Sequence, residues 1–126
     1  MLPHIVVCAP EPHLSRAITL YLLRSDFDVW TASSADAAIE RLESVQPRVL
    51  VVDLDMPAPQ LARLLHAVAS DTSEHSVQIV GLSQRPLDDV LDERYARVLT
   101  KPFSPRVLRR IVSELVGQPQ ALAPGV

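Results

Sequence analysis

Three side chains in this sequence have the chemistry to hold and neutralise a phosphoryl group: Asp53, Ser83 and Lys101. A carboxylate, a hydroxyl and an ammonium brought to one place offer an acceptor, a hydrogen-bond donor and a positive charge for the transferring oxygens. Each one closes a strand-like run: Val49-Leu50-Val51-Val52 before Asp53, Val77-Gln78-Ile79-Val80-Gly81-Leu82 before Ser83, and Arg97-Val98-Leu99-Thr100 before Lys101. Lys101 stands out by composition, because the twelve basic side chains are eleven arginines and this single lysine. A compact ammonium on a flexible stem suits a small site where the guanidinium fork would not fit. Taken alone, the residues leave a second account open. A carboxylate at a strand end also caps the next turn, and a single lysine must fall somewhere.

These residues meet only if the runs that carry them are neighbouring strands. The run at 49–52 is apolar on consecutive positions, the pattern of a strand buried on both faces. His4 to Cys8 repeats it and is closed by Ala9-Pro10-Glu11-Pro12, while the shorter stretch from Asp28 to Ala32 suggests a strand nearer an edge. Between the strands the apolar period changes to that of a helix. Leu14, Ala17, Ile18, Tyr21 and Leu22 form one stripe between His13 and Ser25. Ser33 followed by Asp36 suggests a capping box ahead of Ala37 to Val45, and Pro47 ends that helix. Pro59 serves as a first-turn residue for a helix to about Ser70, and residues 87–95 are a short acidic helical candidate. Ser104-Pro105 starts a last helix that Gly117 closes. Five strands alternating with five helices predict an α/β fold: a doubly wound, five-stranded parallel sheet in flavodoxin-like order. Chemistry in such sheets gathers outside the carboxyl ends of the strands, where Asp53, Ser83 and Lys101 fall.

Composition removes several function classes. With 126 residues, 48% hydrophobic and 21% charged, the chain is the size of one domain with a real core. The expected domain spans 1–117, with a Pro/Ala-rich tail or the start of a linker at 118–126. A net charge of −3 without a basic stripe argues against direct nucleic-acid binding. No apolar stretch approaches a membrane span, and Met1-Leu2-Pro3-His4 does not open a signal peptide, so a cytoplasmic location is expected. Cys8, the one cysteine, lies inside an apolar run as a buried small hydrophobe. Glycines only at 81, 117 and 125 exclude both a dinucleotide fingerprint and a P-loop. The histidines at 4, 13, 66 and 75 lack metal-ligand spacing.

The ordered set of residues resembles the receiver domain of two-component response regulators over about residues 4–117. Val51-Val52-Asp53-Leu54-Asp55-Met56-Pro57 resembles the phosphoacceptor strand and its Met-Pro turn. Ser83 matches the hydroxyl residue that ends the fourth strand, and Lys101-Pro102-Phe103 the Lys-Pro-Phe signature. The resemblance implies Asp53 as candidate phosphoacceptor and Ser83 with Lys101 as the phosphate and switch pocket. It also implies a kinase and an output domain or protein as partners, and no enzymatic turnover beyond self-phosphorylation from a phosphodonor.

The departures redirect that expectation. Where receivers carry two adjacent acidic residues that bind Mg²⁺, this sequence has Ala9-Pro10. Mg²⁺ needs oxygen ligands in near-octahedral order, and neither residue has a side-chain oxygen. No resident metal is therefore expected, with Glu11 and Asp55 as substitute ligands if one binds weakly. Val98 replaces the family's usual Tyr or Phe, and only eighteen positions separate Ser83 from Lys101, so a reshaped output face is expected. Pairing of two copies through that face is compatible with the sequence, although no pattern demands it. The expectation is an atypical receiver, or pseudo-receiver, that acts mainly by phosphorylation-independent protein–protein interaction, with Asp53 and Lys101 as a structural ion pair. The alternative is a phosphoaccepting receiver with weakened Mg²⁺ dependence. More distantly, Asp53-Leu54-Asp55 is similar to the two-aspartate loop of haloacid-dehalogenase-type phosphatases, but it follows a third strand and the chain is too short for a cap.

Overall fold

The computed structural model describes residues 2–23, 26–70, 77–86 and 92–117. Five strands, β1 (His4–Cys8), β2 (Asp28–Ala32), β3 (Val49–Asp53), β4 (Gln78–Ser83) and β5 (Arg97–Thr100), pair in parallel in the order β2-β1-β3-β4-β5. The expected doubly wound fold in flavodoxin-like order is what forms. Four described helices cover it: α1 (Pro12–Leu23), α2 (Ala35–Val45), α3 (Ala58–Ala69) and α4 (Pro105–Gly117).

Alternation along the strands divides the core into two layers. Ile5, Val7, Val49, Val51, Val80 and Leu82 point toward α1 and α4, where Ile18, Leu22, Leu108 and Val112 meet them. Val6, Cys8, Leu50, Val52 and Ile79 point the other way, toward α2 and α3 with Ala35, Ala38, Leu64 and Leu65. The residues of β3 are all buried, since it has helices on both faces and strands on both sides. That central placement is why its sequence reads as an unbroken apolar run.

Several helix ends differ from the sequence expectation, each for a local reason. The cap of α2 is Ser34, not Ser33: Ser34 is extended (φ −151, ψ 164) and its Oγ accepts from the Ala37 N–H at 3.1 Å. Asp36 does not close a capping box, and its carboxylate pairs instead with Arg63 of α3 at 3.3 Å. Ahead of Pro47, the chain leaves α2 through Gln46 in the left-handed region (φ 54), whose N–H bonds back to the Leu42 carbonyl. α4 starts as expected, with the Val107 N–H on Ser104 Oγ at 3.4 Å. Of the helix expected at 87–95, residues 87–91 lie outside the described residues, as do Ser25, the loop at 71–76 and the tail at 118–126. Residues 92–95 form a turn. There Asp92 accepts from the Arg94 N–H at 2.8 Å and grips its guanidinium at 2.8 Å, which holds the Asp92 carboxyl down at about 2.

Candidate functional site

The register of the sheet brings the chemistry-bearing residues together. Asp53 aligns with Leu82 across β3 and β4, and Ser83 aligns with Thr100 across β4 and β5, one residue before Lys101. The Lys101 N–H continues the ladder onto the Ser83 carbonyl at 2.8 Å, and the Leu54 N–H bonds the Leu82 carbonyl at 2.8 Å. Side chains at three strand ends are thereby fixed on one edge of the sheet.

At the centre is an ammonium between two carboxylates. Lys101 Nζ lies 2.8 Å from Asp53 Oδ1 and 2.9 Å from Asp55 Oδ2. The side chains of Asp53, Lys101 and Asp55 are 8%, 16% and 25% exposed, so the bridge is shielded below and open to solvent only at its rim. The turn after β3 completes it. The Asp55 N–H donates to Asp53 Oδ1 at 2.9 Å, and the Gln84 N–H donates to Asp55 Oδ2 at 2.9 Å. Asp53 is thus both the strand-end cap and a charged partner, the two roles that the residues alone left open. Burial acts to depress the Lys101 pKa, but the bonds to Asp53 and Asp55 outweigh it and hold the amine above its ordinary value. Below, Cys8 sits inside the sheet, its thiol pushed up to about 11 by burial and by the Asp53 charge, so it is neutral at physiological pH.

Ser83 is fully buried at the end of β4, and its Oγ accepts from the Arg85 N–H at 3.0 Å. That bond orients the hydroxyl within the turn that also aims Gln84 at Asp55. Glu11 goes elsewhere. Its two carboxylate oxygens accept from the His13 N–H at 3.0 Å and the Leu14 N–H at 2.8 Å, capping the first turn of α1. Those bonds, with smaller help from His13 and Lys101, hold its pKa below the usual value. Glu11 is exposed, whereas Ala9 beside it is buried and brings only a methyl group. The oxygen donors gathered here are Asp53 and Asp55, both already on Lys101, and no three His, Cys, Asp or Glu side chains converge among the described residues.

Two features escaped the sequence reading. One is that Lys101 takes Asp55 as well as Asp53. The other is the contact of Leu54 with Gly81, where a Cβ on the glycine would stand 2.5 Å from Leu54 Cδ1. A lone glycine inside a strand was the available signal, because it marks a place where another group comes close.

The sequence profile described as "Response regulator receiver domain" matches residues 5–113. Among curated proteins, the chain is 30% identical over 118 residues to the sensor histidine kinase TmoS of Ectopseudomonas mendocina, covering 90% of this chain and 12% of that protein. It is 25% identical over 122 residues to the alkaline phosphatase synthesis transcriptional regulatory protein PhoP of Bacillus subtilis, covering 95% of this chain and 51% of PhoP. The chain therefore spans about half of one relative and a small part of the other. In fold it is similar to the chemotaxis response regulator CheY4 of Vibrio cholerae, with a TM-score of 0.80 at 17% identity, covering 91% of this chain and 99% of that one. A response regulator from Thermotoga maritima gives a TM-score of 0.79 at 16% identity, covering 94% and 100%.

Proposed function

The chain belongs to the response regulator receiver domains of two-component signalling, and on that premise we propose that it is an atypical receiver that works through protein contacts without phosphorylation of Asp53. One observation carries the reading: the Lys101 ammonium bridges Asp53 and Asp55 at 2.8 and 2.9 Å. It supplies between the two carboxylates the positive charge that a divalent cation would otherwise bring. Phosphoryl transfer to a carboxylate depends on positive charge to neutralise the incoming oxygens, and here the nearby cation is already engaged. The β1–α1 loop supports the same reading, since Ala9 and Pro10 have no side-chain oxygen and Glu11 is committed to capping α1. The donor set does not fit Mg²⁺, which asks for near-octahedral oxygens.

In this reading Asp53 and Lys101 hold the strand-end loops in one arrangement, and that surface is what partners recognise. The domain is 1–117; its partners are a kinase or an output domain or protein, its location is cytoplasmic, and it catalyses no turnover of its own. A second reading is favoured by the clustering of Asp55 beside Asp53. In that one, Asp53 is a phosphoacceptor that depends only weakly on Mg²⁺, with Asp55 beside it as a substitute ligand. Complementation separates the two. In a strain lacking the gene, an Asp53→Ala chain is expected to restore the wild-type response once its expression level is matched. Loss of the response from a folded, equally abundant Asp53→Ala chain would overturn the first reading in favour of the second.

A further inference from the structure

We propose that β2 is a pairing edge, and that two copies of this chain join β2 to β2 antiparallel, making one continuous sheet across a two-fold axis. β2 ends the sheet, and among the described residues no strand lies on its outer side. The bonds at its two ends fix which amides are free to pair. The Asp28 N–H goes to the Pro3 carbonyl at 2.9 Å, and the Ala32 carbonyl accepts from the Ala9 N–H at 3.2 Å. Asp28, Trp30 and Ala32 therefore turn their backbone groups toward β1, and alternation turns those of Val29 and Thr31 outward.

Natural edges are guarded by lysine, proline, bulges or inward charges. The five residues of β2 include no lysine, proline or break in register, and their one charge, Asp28, is bound to His4 Nδ1 at 2.9 Å. The opposite edge is different, because β5 has four residues and begins at Arg97, which pairs with Glu114. The helices leave the β2 edge accessible. A trough of about 420 Å³ opens at the C-terminal end of β2, lined by Ser15, Thr31, Ser33, Glu40, Arg41 and Ser44.

The edge is complementary to itself in one register. With the axis through Trp30, Val29 faces the second copy's Thr31 and Thr31 faces the second copy's Val29, so the outward residues of both strands exchange hydrogen bonds. Trp30 then meets its own copy at a non-hydrogen-bonded position, where side chains approach most closely and aromatic pairs stabilise best. Trp30 is half-buried, with surface left to cover. Charge agrees with the same axis. The Arg41 guanidinium lies 5.1 Å over the Trp30 ring, so this side chain is near the axis. Across the two-fold, α2 runs antiparallel to its copy and brings each Glu40 to the other's Arg41, which favours a second copy over a partner of a single charge sign.

Sedimentation velocity from about 5 to 500 μM, with three variants, tests this. The wild-type chain should show a reversible monomer–dimer equilibrium. Thr31→Pro removes an outward N–H without touching the ladder to β1, and it should raise the dimer dissociation constant at least about tenfold. Glu40→Arg should weaken the dimer by placing like charges across the axis, and Glu40→Arg with Arg41→Glu should restore it. Should Thr31→Pro fail to fold, the charge swap and its rescue decide alone. A wild-type chain that stays monomeric at the highest concentration would overturn the proposal. So would a dimer that neither Thr31→Pro nor Glu40→Arg weakens.

Discussion

Replacing Lys101 by methionine keeps the stem and removes the ammonium, leaving Asp53 and Asp55 facing each other without a counter-charge. Removing one member of a fully buried pair costs about 3–5 kcal/mol. Here Asp53 retains the Asp55 N–H, Asp55 retains the Gln84 N–H, and Asp55 is 25% exposed, so water takes over part of the load. The lower end applies: about 3 kcal/mol at pH 7, a fall in Tm on the order of 10 °C for a domain of this size. Asp53→Asn with Lys101→Met also removes the more buried carboxylate and leaves only the charge of Asp55, which is 25% exposed, so it should recover part of the loss. The pH dependence has a definite sign. The folded Lys101 pKa is raised above the ordinary value of 10.5, so its stabilisation is fully present below that value and is lost as pH rises through the folded pKa. The variant should lack this alkaline step. Urea unfolding at pH 7 and at pH values rising above 10.5 reads both. A Lys101→Met chain within about 0.5 kcal/mol of wild type at every pH would refute the bridge as the element that holds the site.

Gly81→Ala drives a methyl group against Leu54, whose Cδ1 would stand 2.5 Å away. The overpacking should cost about 1–3 kcal/mol in urea unfolding and should shift the amide resonances of the Asp53–Asp55 turn. Glu11→Gln weakens the cap of α1, and because the folded Glu11 pKa lies below its ordinary 4.5, the effect has a pH window. Its stabilisation is present above that value and lost as pH falls through the folded pKa, so variant and wild type should differ in Tm at pH 7 and converge at low pH. Gln46→Gly relieves the left-handed residue behind α2 (φ 54) and should raise stability by a few tenths to about 1 kcal/mol, measured the same way. If the bridge occupies the place of a cation, about 10 mM Mg²⁺ should leave Tm unchanged, whereas specific binding to the folded state would raise it.

The strands were legible because each is an apolar run stopped by a proline, a charge or a hydroxyl, and β2 was recognisable as the edge from its mixed composition. Register followed from the fold, and with it the placing of Asp53, Ser83 and Lys101 at neighbouring strand ends. The local hydrogen bonds were harder to foresee. Two adjacent serines ahead of α2 compete for one cap, and only the extended backbone of Ser34 decides between them. Glu11 was weighed as a metal ligand because of its neighbours in sequence, while the nearer demand is the unpaired N–H groups of α1. An acidic residue directly before Pro12, the first residue of α1, is itself a helix-start signal that outranks the distant site. The sharing of Lys101 by two aspartates depends on the turn that folds Asp55 back over Asp53, and no spacing rule reports that turn.

In the proposed function the Lys101 ammonium stands where a divalent cation would and Asp53 takes no phosphoryl group. Intact mass after incubation with acetyl phosphate, with and without Mg²⁺ and beside an Asp53→Ala control, tests it most directly. No phosphoryl group should be added to a folded sample under conditions that load a working receiver. A Mg²⁺-dependent gain of one phosphoryl group, absent from the Asp53→Ala control, would contradict it.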